Sequence, residues 1–372
     1  MLANIFFIFS FITTLTQTTS FKPYSLSRSR LYTLANTQIP EPNASLKKNL
    51  KEQKTIWETL TLKAKEGVKR YFINRATQGG IPWKEYYDLG ANNMDTLFQN
   101  YLEINNYSIV YPDYYTQTFH SYAEGNLNWE AALEVVPSTI SISANYWPQA
   151  DMVSAESWMR GNTTNAIKTH IVNTKSMYKN TGRIMDIGCS VGASTKFLIE
   201  AFPDKVVVDA IDLSPHFLST AKFYHKTRES PIFTHLHEKI AYHHIMAEKM
   251  PFSSDSYDIV SISYLIHELP TEIAKEVITE VYRVLRPGGT ISIVDLDGIK
   301  IIKLPQPRKY FFELTEPHIR EYYNTNIIEM LNEIGFTTIE SKPNDPRNTL
   351  WIASKPDDSS KEPEPKTGTD LE

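Results

Sequence analysis

The stretch that decides the fold reads Asp186-Ile187-Gly188-Cys189-Ser190-Val191-Gly192 and continues the strand-like segment 183–187. Glycines in such a loop let the main chain bend sharply and approach a ligand without a Cβ atom in the way. The helix-like segment that begins at Ala193 offers free N–H groups to an anion. In an open α/β sheet, ligands bind beyond the carboxyl ends of the strands. We therefore expect a nucleotide-like ligand at this turn.

Strand-like and helix-like segments alternate around this loop, which predicts β–α–β units with right-handed crossovers. Ser214 and Pro215 have the residue types of a helix N-cap and first helical position. We predict an α/β fold with a doubly wound, mostly parallel sheet, a terminal antiparallel hairpin and an N-terminal helical cap. The predicted strands are 183–187, 205–212, 240–246, 258–263, 290–294, 337–340 and 349–353, and the predicted helices include 163–178, 193–202 and 272–285, the last ended by Pro287-Gly288-Gly289.

The ligand predicted by the loop is a nucleoside without phosphates. Asp212 ends the second strand 20 residues after Gly192, where a carboxylate can accept hydrogen bonds from two ribose hydroxyls. A dinucleotide enzyme would show Gly-x-Gly-x-x-Gly, for close approach to a pyrophosphate. Here Ser190 stands at the second glycine position, and no third glycine follows.

These motifs resemble the class I S-adenosylmethionine-dependent methyltransferases, especially the group similar to ubiquinone and menaquinone biosynthesis methyltransferases (methyltransferase type 11-like). Segment 186–192 looks like the first family motif, and Asp212-Leu213-Ser214 like the ribose-binding acid. Segment 246–252 resembles the part that cups the adenine. Segments 257–260 and 284–289 complete an ordered set within residues 183–296.

The resemblance implies S-adenosyl-L-methionine as cofactor and methyl transfer to a small organic acceptor, quinone-like, phenolic or carboxylic. The sulfonium already activates the methyl group, so no metal is required. Two residues depart from the family pattern: Ser190 replaces a glycine, which is tolerable where no positive φ is needed, and Met246 replaces an acid. The implied cofactor-binding residues are Asp186, Gly188, Cys189, Ser190, Gly192, Asp212, Leu213, Met246, Ala247, Glu248, Ser263 and Tyr264.

Two candidate catalytic residues, His267 and Glu268, follow the fourth predicted strand. In the family's fold this strand end lies beside the transferable methyl group. An imidazole, with a pKa near 6.5, could remove a proton from the acceptor, and Glu268 could do so or orient it. The alternatives are that His267 packs against a loop and that Glu268 begins the next helix.

Aromatic residues concentrate before the cofactor segments, and Tyr115, Phe119 and Tyr122 are candidate acceptor contacts. These residues fit a lid that covers the methyl donor and excludes water. They fit a small core equally well, because aromatic side chains contribute most of the burial energy in cores. Segment 311–323, with Glu316, His318 and Tyr322, is a candidate for a second wall.

Cysteine and histidine usage gives no sign of a metal site. Cys189 is the single cysteine, so an intramolecular disulfide is excluded, and its position predicts a buried packing residue. Six of the ten histidines lie between His216 and His244. His243 and His244 are consecutive on a predicted strand and point to opposite faces, so they cannot easily share an ion. We expect no metal.

The two ends of the chain differ from its middle in composition. Residues 1–40 combine a 14-residue apolar stretch, like a secretory signal, with an acid-free basic segment. This order resembles the bipartite leader of complex plastids and predicts plastid import. The alternatives are secretion or ER residence, and a buried or membrane-anchoring N-terminal helix. We divide the chain into a leader (1–40), an aromatic-rich helical cap (41–162), the cofactor domain (163–355) and a disordered acidic tail (356–372).

Charge and hydropathy limit the partners. The net charge of −5 argues against charge-driven nucleic-acid binding, and no apolar run reaches the roughly 18–20 residues of a spanning helix. We expect a small-molecule acceptor as partner, and the oligomeric state stays open. An aminopropyl transferase on the same fold would want extra acids near His267, where the sequence shows only Glu268. A non-catalytic interaction or assembly protein is the other alternative.

Overall fold

The computed structural model describes residues 67–357 except 68, 121, 123, 175–181, 203–206, 228–236 and 307. The chain divides into two compact units, Met1–Gln78 and Gly79–Glu372. The described residues of the first unit are helical. The predicted leader and nearly all of the predicted tail lie outside the described residues. Within the described ranges, no helix is both long and apolar enough to cross a membrane.

The second unit begins with helices and continues with alternating strands and helices. Before the sheet come α1 (Trp83–Ala91), α2 (Met94–Ile104), α3 (Trp129–Tyr146) and α4 (Met152–Asn173). The alternating part comprises β1 (Ile184–Ile187), α5 (Ala193–Ala201), β2 (Val208–Asp212), α6 (Pro215–Lys226), β3 (Ile240–His244), β4 (Tyr257–Ser263), α7 (Thr271–Val284) and β5 (Leu285–Leu296). The last elements are α8 (Gly298–Ile302), α9 (Arg308–Thr315), α10 (Ile319–Tyr322), α11 (Ile327–Ile334), β6 (Thr337–Pro343) and β7 (Asn348–Ser354), with 3-10 turns at His237–Lys239 and Ile266–Glu268.

The seven strands form one sheet in the order β3-β2-β1-β4-β5-β7-β6. The first five run parallel, whereas β7 runs antiparallel to both β5 and β6. The predicted fold class, including the terminal hairpin, is confirmed. The strand order reverses direction between β1 and β4, which makes their carboxyl ends the switch point where such sheets bind ligands.

The core lies on both faces of the sheet because alternate side chains of each strand point to opposite sides. On β1, Met185 joins the apolar cluster that contains Val277 and Val281 of α7. Its neighbour Ile184 joins a second cluster, with Leu198 of α5 on the other face. All four residues of β1 are buried, so the strand that leads into the loop at 188–192 is held from both sides.

Most predicted elements begin and end within a few residues of those observed, with two differences. Helix α7 ends at Val284 and β5 begins at Leu285, so Pro287-Gly288-Gly289 lies inside a strand. There the main chain pairs with the segment after β7, since Gly288 N donates to Lys355 O at 3.0 Å and Lys355 N donates to Gly289 O at 2.9 Å. Helix α4 begins at Met152 behind an Asp151 side-chain cap, so the proposed 162/163 boundary falls within it.

Candidate active site

The loop after β1 takes a left-handed backbone conformation at Gly188, Ser190 and Gly192, with φ of +65°, +50° and +79°. The condition under which serine is tolerated here, a position that needs no positive φ, is therefore not met, and a left-handed L-residue costs about 1–2 kcal/mol. Two hydrogen bonds to β2 stabilise this loop conformation. Ser190 N donates to Asp212 Oδ2 at 2.8 Å, and Cys189 N donates to Ile211 O at 3.0 Å. The loop and the end of β2 thus form one unit.

Asp212 holds this unit together through main-chain donors. Its Oδ2 accepts from Ser190 N, and its Oδ1 accepts from Ser214 N at 2.7 Å. Each carboxylate oxygen keeps a lone pair for a further donor. Burial raises the pKa of Asp212 to about 7, against the opposing effect of these two N–H groups. The helix that follows begins as predicted, with Ser214 as N-cap and Pro215 at the first position.

Asp186, the penultimate residue of β1, is fully buried, and only one of its two carboxylate oxygens is hydrogen-bonded within the described residues. Its Oδ2 accepts from Ser194 Oγ at 2.8 Å and from Thr195 Oγ1 at 2.6 Å. Its Oδ1 has no hydrogen-bond partner among the described residues. Burial raises the pKa of Asp186 to about 6, although both hydroxyls lower it. A buried, unpaired carboxylate oxygen is costly, so this atom fits a ligand that brings an N–H donor.

The segment after β3 is covered by residues that precede α3. Met246 precedes a turn at Ala247 and Glu248, and Glu248 Oε1 accepts from Tyr114 Oη at 2.5 Å. At the end of β3, His244 accepts from Asn106 N at 2.9 Å and lies 3.2 Å from Tyr111 Oη. The aromatic segment therefore crosses the strand ends where the adenine is predicted, which supports the lid interpretation.

Ser263 and Tyr264 lie where β4 ends, in a crevice lined mostly by polar side chains. Tyr264 has a φ of +59°, and its N donates to Val294 O at 2.8 Å. The guanidinium of Arg160 lies 5.8 Å from the centre of its ring. Thr163 of α4 and Ser194 of α5 line the same crevice. This places α4 beside the loop, a neighbour that the sequence did not predict for the site.

His267 is oriented by a buried carboxylate at the end of β5. Its Nδ1 lies 2.6 Å from Asp295 Oδ1, and its main-chain N donates to Asp295 Oδ2 at 3.1 Å. Its Nε2 makes no hydrogen bond to another described residue, and its ring packs edge-on against Tyr322. Burial lowers the pKa of His267, but the neighbouring carboxylates of Asp295, Glu268 and Glu316 together outweigh burial and raise the pKa to about 9.

Glu268 lies within a group of acids and histidines. Its Oε1 is 3.4 Å from His120 Nε2, which is equally far from Glu316 Oε1. Burial raises the pKa of Glu268. The sequence expectation that a single acid accompanies His267 is therefore wrong, since Asp295 and Glu316 join Glu268 there. These two acids are far from position 267 in sequence, so local spacing could not show them.

The candidate acceptor contacts occupy different environments. Tyr115 has a buried hydroxyl without a described partner. Burial raises the pKa of Tyr115, and the nearby carboxylates of Asp212 and Glu268 raise it further. Phe119 is buried, with its ring 6.3 Å from that of His318. Tyr122 instead donates to Glu134 of α3 and packs near Phe217. The last candidate is Tyr322, whose hydroxyl donates to Leu296 O at 2.5 Å.

The histidine-rich stretch and the cysteine are engaged in packing. His243 Nε2 lies 2.7 Å from Asp209 Oδ1, on the face of β3 away from His244 and its main-chain contacts. His216 is enclosed by Tyr101 and Trp129, and burial lowers its pKa to about 3. Cys189 is buried in the cluster with Leu198, as its position predicts.

Sequence reasoning missed several residues of the site. Asp295 directly follows the predicted strand 290–294, whose neighbour in the sheet ends just before His267, so its place at the carboxyl edge was a usable signal. Glu316 lies in the segment 311–323 that is predicted as a second wall, but its place beside His120 and Glu268 was not predicted. Arg160 gave no signal, because it reaches the site only through helix packing. His120 and Asn126 lie in the aromatic segment, but nothing in their spacing connects them with Glu268.

Comparison with known proteins agrees with this geometry. The family described as "Methyltransferase domain" matches residues 184–289, which run from β1 to the glycines within β5. The chain carries a class I S-adenosylmethionine-dependent methyltransferase domain. The cofactor of this methyltransferase domain is S-adenosyl-L-methionine.

Three curated relatives are similar to part of this chain. An uncharacterized methyltransferase of Synechocystis sp. is 28% identical over 158 residues, 42% of this chain and 68% of that protein. A ubiquinone/menaquinone biosynthesis C-methyltransferase of Geotalea daltonii is 25% identical, over 37% of this chain and 55% of that protein. A malonyl-[acyl-carrier protein] O-methyltransferase of Paenibacillus sp. is 30% identical, over 42% and 56%. The chain thus spans 55–68% of the length of these relatives.

Solved structures show only loose similarity overall. Human N-acetylserotonin methyltransferase in complex with S-adenosylmethionine is 16% identical with a TM-score of 0.44, over 72% of this chain and 66% of that one. A putative S-adenosyl-L-methionine-dependent methyltransferase from Methanococcus maripaludis is 18% identical with a TM-score of 0.40, over 62% and 94%.

Proposed function

We propose that this chain transfers the methyl group of S-adenosylmethionine to a small quinone-like, phenolic or carboxylic acceptor. The observation that carries the proposal is the meeting of two parts at the carboxyl edge of the sheet. One part is the loop 186–192, bonded to Asp212. The other is His267, oriented by Asp295 at the ends of the next two strands.

The cofactor's groups match what the first part leaves unsatisfied. The ammonium of the methionyl end would donate to Asp186 Oδ1, the buried oxygen without a described partner. The ribose hydroxyls would donate to the remaining lone pairs of Asp212. Met246 and Ala247 would meet the adenine ring, with Tyr114 and Glu248 closing that side. When bound, the cofactor supplies an activated methyl group.

The second part would bind and orient the acceptor. His267 Nε2 is the available ring nitrogen, because Asp295 occupies Nδ1. The buried hydroxyl of Tyr115 is a second polar group there. The aromatic segment over the strand ends excludes water and fixes the acceptor in line with the S–CH₃ bond, and such positioning supplies about 7–11 kcal/mol. Quinone-like and carboxylic acceptors are supported by the names of the Geotalea and Paenibacillus relatives.

Calorimetric titration with S-adenosylmethionine tests the cofactor half. We expect Asp212→Asn to weaken binding by about 1.5–3 kcal/mol, the usual value of hydrogen bonds to a charged group. Asp209→Asn is the matched control on the same strand, since its carboxylate contacts Arg183, His243 and Tyr257 instead. Equal affinity of wild type and Asp212→Asn would remove the ribose assignment.

Release of S-adenosylhomocysteine, with a quinol, a phenol and a carboxylic acid as probes, tests the acceptor half. We expect His267→Gln to bind the cofactor normally and to lose about 10²–10³-fold in turnover, as for loss of one positioned hydrogen-bonding group. Tight cofactor binding with no turnover on any probe, together with a stable protein partner, would instead support a non-catalytic assembly role.

A further inference from the structure

Three side chains from distant parts of the chain converge beside His267. His120 precedes α3, Glu268 ends the 3-10 turn after β4, and Glu316 follows α9. His120 Nε2 lies 3.4 Å from Glu268 Oε1 and 3.4 Å from Glu316 Oε1. One nitrogen or oxygen from each residue falls within 4.8 Å of the other two.

The spacing fits atoms that share an ion better than atoms that share a proton. Charge-assisted N–H···O bonds measure about 2.7–2.9 Å, well short of the distances here. Zinc binds imidazole nitrogen and carboxylate oxygen at about 2.0–2.2 Å, so two ligands of a tetrahedral ion lie about 3.4 Å apart. His120 meets both carboxylates at this separation.

Two buried oxygens around the cluster are unsatisfied. Glu316 is 7% exposed and Asn126 is 6% exposed, yet Glu316 Oε2 and Asn126 Oδ1 have no described hydrogen-bond partner. Asn126 belongs to the same cluster, because its Nδ2 donates to Glu268 Oε2 at 3.4 Å. Buried oxygens in native structures are normally paired, so orphaned ones point to a group that binds there.

The cluster is also held in place and open on one side. His120 has a φ of +49°, an uncommon conformation for a non-glycine residue, and its N donates to Thr315 O at 3.1 Å beside Glu316. Such outliers concentrate at functional sites. The His120 side chain is 39% exposed, which gives an ion a route in.

We infer that His120, Glu268 and Glu316 bind a divalent metal ion of the zinc class. Three protein ligands of one nitrogen and two oxygens leave a fourth position for water or an oxygen of a small ligand. Mg²⁺ fits less well, because it demands octahedral oxygen coordination. The inference departs from the expectation that no metal is involved, and it does not depend on methyl transfer or on cofactor binding.

The test is titration of Zn²⁺ alone into the full chain after dialysis against a chelator. We expect one equivalent per chain, and Co²⁺ in its place should give the visible absorption of a four-coordinate ion. His120→Ala and Glu316→Gln should each weaken Zn²⁺ binding about 100-fold or more. Asn126→Ala, which removes an outer contact, should weaken it about 10–100-fold.

Glu313→Gln is the matched control, because this glutamate on α9 pairs with Lys309 and Arg320 and lies outside the cluster. It should bind Zn²⁺ as the wild type does. Normal S-adenosylmethionine affinity in every variant would show that each one folds. Absence of a saturable site, or one that persists in both ligand variants, would overturn the inference, and neither result would bear on the proposed methyl transfer.

Discussion

The two halves of the candidate site are built in different ways. The cofactor edge (residues 186–192 and 212–214) is held by main-chain donors between neighbouring strands, as in the bond from Ser190 N to Asp212. The acceptor wall (His120, Asn126, His267, Glu268, Asp295 and Glu316) is held by side chains, and its Asn126–Glu268 contact joins residues 142 positions apart. Backbone conformation therefore governs the first half, and tertiary packing governs the second.

Among substitutions that test how the cofactor edge is held, we expect Gly192→Ala to have the largest effect on stability. An added Cβ would clash with Cε1 of the buried His225 ring, on a backbone with a φ of +79°. The left-handed conformation costs about 1–2 kcal/mol and the overpacking about 1–3 kcal/mol. We expect the free energy of unfolding, measured in urea, to fall by about 2–5 kcal/mol.

Gly161→Ala is the control for this substitution. Gly161 lies in α4, and an added Cβ there would meet nothing within 4 Å. Alanine is favoured over glycine inside helices by about 0.5–1 kcal/mol, so this variant should be slightly more stable than wild type. If Gly192→Ala were as stable as Gly161→Ala, the view that backbone conformation governs the cofactor edge would be wrong.

The cofactor edge could be predicted because its signals are local. The buried strand β1 leads directly into a glycine-containing turn. The Ser214-Pro215 pair that begins a helix likewise directly follows the next strand, β2. The sheet order follows from the same alternation, since parallel strands need crossover helices. Asp186 and Asp212 were therefore found at the edge where the structure has them.

The acceptor wall could not be predicted in the same way. Glu316 lies beside His120 because the main-chain N of His120 donates to Thr315 O. The spacing of residues in the sequence does not predict this long-range contact. Tyr122 looks equivalent to Tyr115 in sequence, but its hydroxyl donates to Glu134 of α3, whereas that of Tyr115 has no described partner. Even at the cofactor edge, the positive φ of Ser190 was missed, because a serine gives no sign of left-handed backbone.

The next largest effect is expected in the affinity for S-adenosylmethionine as the pH is changed. Because burial raises the pKa of Asp212 to about 7 and that of Asp186 to about 6, the free chain takes up protons here as the pH falls below 7. A cofactor that donates to carboxylates must displace those protons. The affinity for the cofactor should therefore decrease as the pH is lowered from 7 to 5.5. The expected decrease is up to about tenfold, or about 1.4 kcal/mol, for each pH unit.

The stability of the free chain should change in the opposite direction. A carboxyl group with a raised pKa in the folded state binds its proton more tightly there than in the unfolded chain. Its contribution to stability is therefore present at low pH and is lost as the pH rises from about 4 to 7. Asp212→Asn should reduce both dependences, as followed by calorimetry and urea unfolding. An affinity that is flat with pH in wild type would contradict a carboxylate-based cofactor edge.

The smallest effect concerns Ser190, the one serine in a turn that otherwise uses glycine for its left-handed positions. Ser190→Gly keeps the main-chain N–H that donates to Asp212 and removes the cost of the Cβ at a φ of +50°. We expect the free energy of unfolding to rise by about 1 kcal/mol, with S-adenosylmethionine affinity unchanged. Thr338→Gly, at a φ of +49° on the exposed part of β6, should give a similar gain far from the site. If Ser190→Gly instead weakened cofactor binding while Thr338→Gly did not, the Ser190 side chain would be a ligand contact, and the cofactor edge would share the side-chain dependence of the acceptor wall.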